Sequence, residues 1–130
     1  FFDYIKPKDG VDAYGTYAEL GNLTNMLKNQ IAGDLNMTVV SACQASKNGG
    51  IADSVRIGQY ASTIIKLRKK SMDEQMEDGP ECGNYKFTTI LNRLGEQDSE
   101  GETWTDAEFF GNVCQFAKCK QHNSDSVFEA

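Results

Sequence analysis

FFDYI (residues 1–5), YAELGNLTNMLKNQIAGDLN (17–36) and MTVVSAC (37–43) decide the reading of the fold. The first is a short apolar run carrying one acid, Asp3. The second places Leu20, Leu23, Leu27, Ile31 and Leu35 at spacings of three and four, which marks one face of a helix. Thr16 is positioned to cap that helix, with Glu19 three residues on as its capping-box partner. Gly21 and Gly33 weaken it. The third is rich in β-branched residues at Thr38, Val39 and Val40 and reads as a buried strand. Strand, helix, strand predicts a βαβ unit, two parallel strands joined by a right-handed crossover.

Beyond Cys43 the pattern is more broken. Ala45–Gly50 reads as a loop containing Lys47, and Ile51–Ala61 stays open between loop and a short helical turn. Thr63–Leu67 is a β-rich run whose end is basic at Lys66, Arg68, Lys69 and Lys70. Ser71–Gly83 carries Asp73, Glu74, Glu77, Asp78, Glu81 and Pro80, and reads as a solvated, mobile excursion. Tyr85–Asn92 alternates, with Tyr85, Phe87, Thr89 and Leu91 on one face, and predicts a hairpin with Trp104–Phe110. The expected fold is α/β, a mostly parallel sheet with an antiparallel hairpin at one edge. It is expected to span residues 1–122, with a flexible tail over 123–130. An uncovered edge of such a sheet would invite association.

Composition narrows the function classes. The chain has 130 residues, 39% hydrophobic and 25% charged, which fits an ordered domain. A formal charge of −6, from 13 basic and 19 acidic residues, argues against coating nucleic acid through bulk charge, though a local basic site remains open. No run is long and apolar enough for a transmembrane helix and no signal peptide opens the chain, so a cytoplasmic protein with no membrane partner is expected. Phe1-Phe2 leads straight into a strand, as expected of a piece of a longer chain. Cys43, Cys82, Cys114 and Cys119 are widely spaced and read as free thiols. Cys114, Cys119 and His122 lack a fourth ligand and match no common zinc spacing.

Two residues draw attention as chemistry. An acid at the end of a buried apolar strand is costly without a partner or a task, so Asp3 is a candidate ligand-facing group. Gln44 follows the next strand, so parallel neighbours would bring both to one edge, where open α/β sheets bind ligands. An apolar-apolar-Asp strand end is how P-loop ATPases hold the Mg²⁺ that accompanies ATP. A glutamine beside it can touch both a water and a phosphate oxygen.

FFDYIKP, LKNQIAGDLNMTVVSACQ, ADSVRIGQYASTIIKLRK and KFTTILNRLGEQDSEG, in that order, resemble successive segments of DnaB-type replicative helicases. The likeness runs over about residues 1–116 and implies the carboxy-terminal half of a RecA-like ATPase core. By that resemblance Asp3 orients Mg²⁺ on ATP, Gln44 couples nucleotide state to the DNA loops, and Arg93 is an arginine finger reaching a neighbouring subunit. A guanidinium there would stabilise charge on the transferring phosphoryl group. The loop from Ala45 to Gly58 would face single-stranded DNA in the channel of a ring, expected to be hexameric, with Lys47 and Arg56 as its cations.

The chain departs from the family at several positions. Leu91 stands where the family has a lysine two residues before the finger, Ser62 replaces an acid, and Glu96, Gln97 and Asp98 follow the finger. No Gly-x-x-x-x-Gly-Lys-Ser/Thr occurs, so the half that cradles phosphate is missing and the chain alone is expected to be inactive. Three readings follow: part of a Mg-ATP-driven helicase motor, a catalytically inactive RecA-like binding or regulatory module, or a small disulfide-linked secreted domain.

Overall fold

The computed structural model describes residues 1–5, 10, 13–45 and 55–122. They divide into two compact units, residues 1–61 and 62–130. In the first unit, β1 (Phe2–Ile5) is followed by α1 (Ala13–Met26), which runs on as a π-helical segment, Leu27–Asp34. Then come β2 (Ser41–Cys43) and α2 (Val55–Tyr60). β1 and β2 pair in parallel, with Phe2 opposite Ser41 and Ile5 opposite Cys43 across an irregular register.

The core of this unit is the stripe Leu20, Thr24 and Leu27 with Ile57 of α2. Thr24 is tolerated there because its hydroxyl donates to the Leu20 carbonyl at 2.7 Å, satisfying the polar atom inside the helix. The expected continuation of the stripe to Leu35 does not hold, since Leu35 is exposed. The π-helical turn changes the angular step per residue and carries it off the apolar face. Asn36 then stops the helix at φ 50°, a left-handed position that asparagine tolerates.

The second unit holds β3 (Thr63–Lys69), α3 (Met72–Asp78), a 3-10 turn (Pro80–Cys82), β4 (Tyr85–Asn92), β5 (Thr105–Phe110) and β6 (Gln115–Lys118). The four strands form one antiparallel sheet in the order β3-β4-β5-β6. This corrects the expectation of a RecA-like, mostly parallel sheet with a hairpin at its edge. Among the described residues the only parallel pairing is the two-stranded β1–β2. The hairpin of β4 and β5 lies in the middle of the larger sheet, flanked by β3 and β6.

The physical reason lies in residues 71–84. The segment expected to be a solvated, mobile excursion is a compact reversal. The Ser71 hydroxyl accepts from the Glu74 N–H at 3.2 Å and the Glu74 carboxylate accepts from the Ser71 N–H at 2.8 Å, a capping box that starts α3. Gly79 ends it and Pro80 opens the 3-10 turn. The connection is long enough for a parallel crossover, but its two ends close on each other, the Lys70 N–H donating to the Asn84 carbonyl at 2.9 Å, so the chain returns antiparallel beside β3. The predicted tail, 123–130, and Lys47 fall outside the described residues.

Gly83 is the tightest point of the reversal. Its φ is +69°, and a Cβ there would stand 2.4 Å from the Ala107 carbonyl oxygen of β5. Gly83→Ala is therefore expected to lower stability by about 2 kcal/mol or more. Gly33→Ala, whose added Cβ meets only the Lys28 carbonyl at 3.6 Å, should change stability by less than about 1 kcal/mol. Thermal unfolding of the two variants beside the wild type checks both.

Candidate functional site

The structure scatters the residues the sequence singled out. Asp3 lies on β1. Gln44 is exposed and directly follows β2, on the adjacent strand of the parallel pair. Arg93 belongs to the second unit, exposed in the turn after β4, where its backbone N–H donates to the Ser62 carbonyl at 2.9 Å. That turn is built by Asn92, whose side-chain oxygen accepts from the Leu94 N–H at 3.3 Å while its amide donates to the Glu96 carbonyl at 3.3 Å.

Arg56 sits on α2, half-buried, rather than in an open loop. Its guanidinium lies 5.6 Å from the centre of the Tyr17 ring, a cation–π contact, and its side chain crosses α1 at Gly21. A Cβ on Gly21 would come 2.2 Å from the Arg56 Cδ, so the glycine opens the path the arginine takes.

The most organised polar constellation was not anticipated. Lys70 and Asp106 both have side chains with 0% exposure and meet at 2.7 Å, Nζ to Oδ1. The three ammonium hydrogens of Lys70 go to Asp106, to Asp78 Oδ2 at 2.7 Å and to the Cys82 carbonyl at 3.0 Å. On the carboxylate side, Oδ1 also accepts from the Trp104 indole N–H at 2.9 Å. Oδ2 accepts from the His122 backbone N–H and pairs with His122 Nδ1, each at 2.7 Å. With Asp106 ionised, Nδ1 carries the hydrogen. Gln121 seals the Asp106 backbone, accepting from its N–H at 2.7 Å and donating to its carbonyl at 3.0 Å.

Around this pair the charges continue outward. His122 stacks on Trp104 with ring centres 4.2 Å apart, and the Lys86 ammonium lies 4.0 Å from the centre of the Trp104 ring. Lys86 pairs with Glu74 at 2.7 Å, and Glu74 also takes a two-pronged contact from Arg68. Arg68 in turn holds the Glu74 carboxyl far below the usual carboxylate range, against the opposing effect of burial and with help from Lys86. Burial would raise the Asp106 carboxyl, but hydrogen bonds from Lys70 and His122 outweigh it and leave it below its ordinary value. Burial would likewise lower Lys70, yet Asp106 and Asp78 raise it above the ordinary lysine value.

Chemically this is a closed constellation. Every acceptor position of Asp106 and every donor of Lys70 is used within the protein, which suits a structural clasp and leaves no atom for a substrate. Among the described residues no group of three or more His, Cys, Asp or Glu side chains could hold a metal ion, and the four cysteines are free. No described helix is long and apolar enough to cross a membrane. Comparison with family models, with curated proteins and with solved structures gave no match.

The sequence held part of the signal for this clasp. Asp106 is an acid near the start of the β-rich run Trp104–Phe110, and Ser71-x-x-Glu74 is a helix start directly after Lys70. Pairing Lys70 with a residue 36 positions away required the register of the sheet, which aligns Lys86 with Asp106 and Lys69 with Tyr85.

Removing one partner leaves a buried charge uncompensated. Lys70→Met is expected to cost about 3–5 kcal/mol, and Lys70→Met with Asp106→Leu together less than either change alone. Asp106 and Glu74 are depressed in the folded protein, so their contribution is full above the ordinary carboxyl range and lost as pH falls below about 4. Lys70 is raised, so its contribution is full at neutral pH and lost only as pH climbs past about 10. Denaturant unfolding of the wild type should show a stability plateau between these limits, with the acid slope reduced in the Asp106→Leu variants.

Proposed function

We propose that this chain supplies the carboxy-terminal portion of an ATP-driven, ring-forming DNA motor of the replicative-helicase type, working on single-stranded DNA in the cytoplasm. The observation that carries the reading is the parallel pairing of β1 with β2. Parallel strands end at the same edge of a sheet, the edge where ligands gather in α/β proteins. Gln44 leaves β2 there, beside the strand that carries Asp3. The order of the four helicase-like sequence segments supports the same reading.

In this proposal Asp3 orients a magnesium ion that accompanies ATP, and Gln44 relays the state of the terminal phosphate to the following segment. Arg93 is exposed on a turn fixed by Asn92, which suits a cation acting on the nucleotide of a neighbouring subunit. Because that action is between subunits, Arg93 needs no shared pocket with Asp3 and Gln44 in its own chain. Lys47 and Arg56 take the DNA backbone. Arg56 would leave the Tyr17 ring to do so, giving up a contact worth about 0.5–1 kcal/mol. The described residues offer no cradle for the phosphates, so nucleotide binding requires a loop supplied by other polypeptide. That same lack favours a second reading, a catalytically inactive binding or regulatory module.

Arg93→Ala in the protein that carries this chain separates the two. The motor reading predicts DNA-stimulated ATP hydrolysis in the wild type, and a fall of about 10³-fold or more in the variant with nucleotide binding retained. No hydrolysis by the wild type, or full activity in the variant, would contradict it.

A further inference from the structure

The two faces of the antiparallel sheet differ in kind. One carries Arg68, Lys86 and Asp106 and lies under α3, whose Glu74 joins Arg68 to Lys86. The other is apolar and aromatic. Tyr85, Phe87, Phe109 and Phe116 touch one another edge-on or tilted across β4, β5 and β6, with ring centres 4.7–5.6 Å apart. Ile65 and Leu67 extend this surface onto β3 and are 57% and 46% exposed. The register sets Lys69, Tyr85, Ala107 and Lys118 in one row across all four strands, so a cation stands at each end of the row. Lys69 and Lys118 are exposed and make no ion pair among the described residues.

The outer side of α3 is the complement. Met72 and Met76, one helical turn apart, are 79% and 80% exposed. Asp73 and Glu77 run beside them at the same spacing, exposed and without an ion pair among the described residues. Two unbranched thioethers form an adaptable apolar ridge, suited to an irregular aromatic surface. The flanking acids match the cations that bound the aromatic face.

The geometry points to head-to-tail self-association, in which the Met72–Met76 ridge of one copy lies on the aromatic sheet face of a second copy. Asp73 and Glu77 then meet Lys69 and Lys118. Ridge and face are different surfaces, so after the first contact one copy keeps its face free and the other its ridge. The assembly therefore closes as a ring or continues as a filament, and does not stop at a symmetric dimer.

Charge reversal at exposed positions tests this with little risk to folding. The wild-type chain should associate beyond a dimer in sedimentation velocity at hundreds of micromolar, more weakly as salt rises. Lys69→Glu with Lys118→Glu should weaken association more than roughly tenfold, and so should Asp73→Lys with Glu77→Lys. An equimolar mixture of these two variants should regain it, because each reversed sheet then meets a reversed helix and each unreversed sheet an unreversed one. Circular dichroism confirms that both variants fold. A wild type that stays monomeric, association that stops at a dimer, or a mixture no better than its components would overturn the proposal.

Discussion

The second unit depends on an ion pair with no access to water. Lys70 and Asp106 are each fully buried and meet at 2.7 Å, so neither can recover its lost hydration except from protein atoms. That constraint dictates the surroundings. The remaining ammonium hydrogens require Asp78 at the end of α3 and the carbonyl of Cys82 in the 3-10 turn. The remaining carboxylate lone pairs require Trp104 before β5 and His122 after β6. One pair thereby ties together the end of β3, the reversal that follows it, the third strand and the chain beyond the fourth. Such a pair contributes less to net stability than an apolar contact of similar volume would, but it penalises any register in which its partners are absent.

This explains why part of the fold was legible in the sequence and part was not. Tyr85–Asn92 was readable because a strand with one apolar face announces itself by alternation, and its bounds match the structure. The helix after β1 was readable from Leu20, Leu23 and Leu27, although it starts at Ala13, before the proposed Thr16 cap. The acidic stretch after Lys70 misled because its charges suggested solvation, while Ser71 and Glu74 were using theirs to start a helix and Asp78 to neutralise a buried lysine. β6 was missed because Gln115–Lys118 is short and mostly exposed. Strand direction is the deepest omission: periodicity says which residues face inward, and is silent on which neighbour a strand meets.

The candidate functional residues follow the same division. Asp3 and Gln44 belong to a local βαβ arrangement whose order the sequence pattern reaches, with Asp3 on β1 and Gln44 one residue past the parallel β2. The second strand is shorter than its β-branched residues suggested, Ser41–Cys43 rather than 37–43, and Val40 is exposed. Arg56 shows the limit of reading a cation as a ligand contact. In a loop it suggested DNA, while in the structure it lies on Tyr17 across a helix opened by Gly21. Arg93 is presented by a turn whose hydrogen bonds come from Asn92, a residue the sequence offers only as its neighbour.

The most direct test of the account is the titration of Asp106 followed through its carboxyl carbon by nuclear magnetic resonance. An ionised Asp106 fixed by Lys70 and His122 should keep its carboxylate chemical shift down to a pH below the ordinary aspartate value of about 3.9. A midpoint at or above that value would mean that burial outweighs the ion pair, and would contradict the claim that this pair organises the sheet.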